Sequence, residues 1–180
     1  MIHNRILRAF SCLLAVLSLP LSSAYAVTSQ GTGDVGGMIG AAFANHDIGT
    51  NITWGLTAHY NLLPQINVGL YYNRYTHDTQ VPGGTKFSTS YNNIAAEANY
   101  LFTDTLEGAY AGAKLGIAIT SNDLPNATDK YNVVFGPAVG YDYMLGNGLS
   151  AGGQLNVLWT TGDPFFSDTN LLFVLKYNFM

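Results

Sequence analysis

At 180 residues, with 48% hydrophobic, 13% aromatic and 10% charged side chains and a formal net charge of −4, the chain is one domain long but carries far less ionic surface than a soluble domain. Its seven Lys and Arg residues are scattered, which argues against a nucleic-acid partner, because phosphate neutralisation needs clustered cations.

At the N-terminus, Arg5 and Arg8 precede an apolar run from Ala9 to Leu19, then Pro20 and Ala24-Tyr25-Ala26. A charged segment, a short apolar core and a small-x-small site make a secretory leader, and the run is too short to cross a bilayer as a helix. Residues 1–26 are therefore expected to be a cleaved signal peptide and 27–180 the mature domain. The single cysteine, Cys12, leaves with the leader, so neither a disulfide framework nor thiol chemistry is expected. Gly31, Gly33 and Gly36 have the G-x-G-x-x-G spacing but lack the preceding strand and following helix of a dinucleotide site, and read as a flexible mature N-terminus.

Alternation of apolar and polar residues between turn signals predicts eight strands in chain order. They run approximately over Val35–Asn45, Ile52–Asn61, Ile66–Thr76, Ser90–Phe102, Gly108–Ser121, Lys130–Met144, Leu149–Thr160 and Asn170–Phe179. Three connections are tight and hold turn formers such as Pro64 and Asn147-Gly148. The other four, around His46–Asn51, His77–Thr89, Asn122–Asp129 and Gly162–Asp168, are mostly longer and more polar. Short turns on one side and long loops on the other suit a membrane barrel with both termini in the periplasm.

One face of each strand is apolar: Trp54, Leu56, Ala58 and Tyr60 on the second, for instance, and Phe173, Leu175, Tyr177 and Phe179 on the last. Aromatic residues gather near strand ends, as two interfacial girdles require. The opposite face holds His59, Tyr71, Asn73, Glu97, Asn99, Lys114, Asp142, Gln154, Asn156 and Lys176. An eight-stranded barrel is just wide enough to be filled by side chains. Glu97, Lys114, Asp142 and Lys176 are thus expected to form a paired polar cluster in the lumen, with Glu97 directly opposite Lys114 if the turn near Thr105 sets the register. A soluble lipocalin-like barrel would also alternate, but its exterior would need many more charges than this chain has.

The leader, the strand count, the loop asymmetry and the terminal Tyr177-Asn178-Phe179 together resemble the OmpA/OmpX-type eight-stranded outer-membrane β-barrels over essentially the whole mature chain. The resemblance implies an all-β, antiparallel up-and-down transmembrane barrel in the cell outer membrane. It further implies a monomer in contact with outer-membrane lipids and lipopolysaccharide. Tyr177 and Phe179 look like the C-terminal signal read by the barrel-assembly machinery, although Met180 follows where the aromatic usually ends the chain.

Some barrels of this size modify lipids, chemistry that calls for a Ser/His/acid set. His59 faces the lumen with no Ser two residues along its strand, and His46-Asp47 and His77-Asp78 are loop dipeptides without further metal-ligand spacing. No catalytic residue, cofactor or metal is therefore expected. His46, His77, Phe165 and Phe166 are placed on outer loops as candidate contacts. The leading expectation is a non-enzymatic barrel with a structural or surface-interaction role exerted through its extracellular loops. The alternatives are a narrow passive pore for water, ions or very small solutes, and an outer-membrane lipid-modifying enzyme.

Overall fold

The structure, a computed structural model, describes residues 31–45, 49–80, 86–123, 128–162 and 166–179. The expected leader 1–26, together with His46, Phe165 and Met180, lies outside the described residues. Those described form eight strands: β1 (Gly33–Ala44), β2 (Gly49–Leu63), β3 (Ile66–Gln80), β4 (Lys86–Leu101), β5 (Gly108–Asn122), β6 (Lys130–Gly146), β7 (Leu149–Thr160) and β8 (Phe166–Phe179). Each pairs antiparallel with the next, and β1 pairs with β8 from Gly33↔Phe179 to Ala44↔Asp168, which closes the cylinder. Closure removes the row of unpaired backbone groups that an open edge would present to hydrocarbon.

Several strands run further than their sequence pattern suggests. Pairing of β3 with β4 continues through His77↔Thr89 to Gln80↔Lys86, and β8 begins at Phe166. His77 and Phe166, expected on loops, are therefore strand residues, and the connection expected over His77–Thr89 is reduced to the residues between Gln80 and Lys86. Beyond the bilayer both faces of a strand meet water, so the alternation that reveals a strand fades there although its backbone pairing persists. At the other end β1 starts at Gly33, so Gly33 and Gly36 are paired backbone instead of a flexible terminus.

The link between β6 and β7 shows how local chemistry sets register. Asn147 has φ 53° and Gly148 φ 78°, the left-handed pair that a tight hairpin of this hand requires and that Asn-Gly adopts at low cost. A register shift between Met144 and Gly146 adjusts the last rungs before that turn.

The two faces separate cleanly. On β8, Leu171, Phe173, Leu175, Tyr177 and Phe179 are exposed while Leu172, Val174, Lys176 and Asn178 between them are buried. Outward aliphatic residues such as Leu56, Leu70 and Leu115 are more than half exposed, which suits a wall bathed in lipid. Trp54 meets Tyr72 edge-on at 5.6 Å, and Tyr100 meets Phe102 in the same way near the opposite rim. Replacing Leu115 (63% exposed) with Arg is expected to destabilise the barrel by about 2–4 kcal/mol, since a cation at mid-bilayer must leave water. Urea titration of folding into lipid vesicles measures it; an unchanged midpoint would mean that this face does not contact hydrocarbon.

Candidate functional site

Ionisable side chains inside the barrel are placed by the rungs of the sheet. Asp34 on β1 lies opposite His59 on β2, His59 opposite Gly69 on β3, Gly69 opposite Glu97 on β4, and Glu97 opposite Lys114 on β5. These five residues form one circumferential row. Because Gly69 has no side chain, His59 and Glu97 can meet across β3; a Cβ at that position would collide with the Ala58 carbonyl and the His59 ring.

Distances along the row describe a connected network. His59 Nδ1 is 2.9 Å from Asp34 Oδ1, and its Nε2 is 3.4 Å from Glu97 Oε2 and 3.1 Å from the Thr57 hydroxyl. Lys114 Nζ lies 2.6 Å from Glu97 Oε1, an oxygen that also accepts from Gln154 Nε2 at 2.9 Å across the lumen. Nearer the chain termini, Lys176 donates to Asp142 Oδ2 at 2.6 Å. Both ammonium groups also sit over aromatic faces: Lys114 is 4.1 Å from the Tyr71 ring centroid and Lys176 5.1 Å from that of Tyr110. Glu97, Lys114, Asp142 and Lys176 are thus buried as two ion pairs, with His59 bridging one of them to Asp34.

The row lies between two other layers. Along β4 the inward residues read Asn99, Glu97, Ala95, Asn93, and along β8 Asn178, Lys176, Val174, Leu172, Asn170. A cluster containing Met38, Tyr71, Ala95, Val134, Leu158, Leu172 and Val174 lies between the ion pairs and an outer amide layer, and within it the Tyr71 hydroxyl accepts from Asn156 at 3.1 Å. In that layer Asn73 donates to Asn170 Oδ1 at 3.2 Å, Asn93 to Asn73 Oδ1 at 3.0 Å, and Asn170 to Asp168 Oδ1 at 2.7 Å. Toward the termini the lumen opens into a small recess lined by residues including Asp34, Asn67, Asn99, Asp142 and Lys176.

The outer-rim candidates do not converge on one site. Phe166 stacks on Tyr91 at 5.5 Å, and Tyr91 on Tyr75 at 4.8 Å, whose hydroxyl donates to Asp168 at 3.3 Å. The ring thus belongs to an aromatic column at the outer mouth instead of a loop tip. His77 Nδ1 lies 3.3 Å from Asn51 Oδ1 on the neighbouring strand. Tyr177 and Phe179 are exposed on the final turns of β8, where β1 and β7 flank them.

Sequence reading missed Asp34 and Thr57. Asp34 sits in a glycine-rich stretch with little alternation, and only its pairing with β2 brings it to His59. Thr57 stands two residues from His59 on the same strand, so Thr57, His59 and Asp34 line up as a hydroxyl, an imidazole and a carboxylate. All three are buried in the lumen, and Glu97 shares the imidazole nitrogen that faces the hydroxyl. Among the described residues, no group of three or more His, Cys, Asp or Glu side chains could hold a metal ion.

The model of the outer membrane protein beta-barrel domain matches residues 11–179. The chain belongs to that family. Its architecture is similar to that of Neisserial surface protein A, with a TM-score of 0.66 and 19% identity over 83% of this chain and 100% of that one. It is also similar to the N-terminal β-barrel domain of Pseudomonas aeruginosa OprF, with a TM-score of 0.62 and 16% identity over 83% and 98% of the two chains. For Ail, the attachment invasion locus protein of Yersinia pestis, solved with the heparin analogue sucrose octasulfate, the values are 0.60 and 11% over 83% and 99%. At these identities the likeness is one of fold. No curated protein sequence matches the chain. This outer-membrane barrel is therefore of the OmpA/OmpX type.

Glu97→Gln is expected to cost the barrel about 3–5 kcal/mol, because it leaves Lys114 buried without its counter-charge. Adding Lys114→Met should restore much of the loss, since an apolar isostere needs no partner. Urea unfolding of the single and double variants tests this; equal loss in both would show that the pair does not carry the coupling.

Proposed function

We propose that this outer-membrane barrel acts as a wall-forming and surface-interaction protein whose specific contacts are made at its outer end, and that it neither conducts nor modifies lipid. One observation carries the reading: the lumen is filled. Inward side chains from Asp34 and Lys176 through Val174 and Leu172 to Asn170 are buried, and a largely apolar layer is packed between the polar ones. A packed, largely apolar constriction opposes ion passage. Opening a path would also break charge pairs that lose several kcal/mol when separated in a low dielectric. Chemistry available to a partner is thereby left to the outer rim, where β3 and β4 project as a paired hairpin. That hairpin presents His77 and an Asp78 carboxylate that accepts from the Ser88 hydroxyl. Lipid contacts along the exposed aliphatic wall and delivery of the Tyr177/Phe179 end by the assembly machinery belong to the same proposal.

Purified protein in planar bilayers is expected to give no reproducible conductance steps, and Glu97→Ala is expected to leave the record silent or to prevent folding. Regular steps from the wild-type barrel would overturn the sealed-lumen reading. Replacing residues 79–87 with a two-residue Asn-Gly turn should leave heat-modifiable gel migration intact while reducing attachment of whole cells to other surfaces. Undiminished attachment would place the contacts elsewhere.

A further inference from the structure

The outward face of the β3–β4 hairpin changes character within two rungs. On β3 the outward residues are Val68, Leu70 and Tyr72, then Arg74, Thr76 and Asp78; on β4, Ala96 and Ile94 give way to Asn92, Ser90 and Ser88. About nine to eleven residues of tilted strand cross the hydrocarbon layer. Counted from Ile66, the first residue of β3 and the partner of the girdle residue Tyr100, that length brings the outer boundary to between Arg74 and Thr76. Among the described side chains, Arg74 is the cation at an outward strand position: Lys114 and Lys176 are turned into the lumen, and Lys130, exposed at the start of β6, shares the inward register of Val134.

Its neighbours build a half-buried polar ledge. Arg74 lies opposite Trp54 on β2 and Asn92 on β4. Its Nη2 donates to Ser90 Oγ at 3.2 Å, and the Tyr72 hydroxyl donates to Asn92 Oδ1 at 3.1 Å. The Ser90 contact aims the guanidinium along the rim and uses one of its five donors. Trp54, stacked edge-on against Tyr72, supplies the amphipathic ring that favours headgroup depth. Asp78, the carboxylate on the same face, stands further outward and is engaged by Ser88.

We propose that Arg74, with Ser90, Asn92 and Trp54, is a docking site for the phosphate of a phosphorylated outer-leaflet lipid. A planar guanidinium at the hydrocarbon boundary offers paired N–H groups to phosphate oxygens in a partly desolvated setting, where such charge-assisted bonds are strongest. The site rests on outer-membrane residence and on the outward register of β3, and is independent of the contacts proposed for the hairpin tip.

The test uses the whole mature barrel in phosphatidylcholine vesicles containing either phosphorylated lipid A or the same lipid with its phosphates removed. The temperature at which heat-modifiable gel migration is lost should be higher with the phosphorylated lipid by roughly 4 °C or more. Arg74→Gln should abolish most of that difference while folding equally well in phosphatidylcholine alone, and Arg74→Lys should keep part of it. An undiminished difference in Arg74→Gln, or none in the wild type, would overturn the site. Inorganic phosphate added to plain vesicles is expected to leave the transition unmoved; a matching rise would mean that the site takes free phosphate and is no lipid dock.

Discussion

Every backbone N–H and C=O that crosses the bilayer must find a partner within the protein, because hydrocarbon supplies none. In this chain that constraint is met when β8 folds back onto β1, with Val35 opposite Tyr177 and Ala41 opposite Leu171. The other features follow from that seam. A closed sheet of eight strands has a fixed bore, the bore must be filled, and the filling must be neutralised.

The filling is ordered by rungs as well as by chemistry. Asp34, His59, Glu97 and Lys114 come from four strands and are distant in the chain, yet they occupy successive places in one row, with Gly69 as the gap that lets the imidazole reach the second carboxylate. Each ammonium has both a carboxylate and a tyrosine face, so neither charge is isolated in the low-dielectric interior. Apolar residues follow on β4 and β8, and Tyr71 with Asn156 links this cluster to the amides of the outer layer. A bore packed in this way supports the wall as a rigid post would.

Much of the architecture was legible beforehand, and the misreadings have a common cause. Alternation located the strand cores because one side meets lipid and the other a packed polar lumen, so their side chains must differ. Where both sides meet water, as at His77 and Ser88, that contrast vanishes and a continuing strand looks like a loop. The same loss of contrast hid the start of β1, where Gly33, Gly36 and Gly37 carry no side chain to alternate. Phe166 looks like a loop aromatic in the sequence because its stacking partner, Tyr91, lies far away in the chain on β4.

From the sequence alone came the number of strands, the face that meets lipid and the pairing of Glu97 with Lys114, since each depends on local period or on a neighbouring turn. Only the closed tertiary structure brought Asp34 and Thr57 to His59, Gln154 across the lumen to Glu97, and Lys176 to Asp142. Those contacts depend on strand register around the whole circumference and on the width of the bore. Neither quantity is written in any single segment; both come into being when the last strand meets the first.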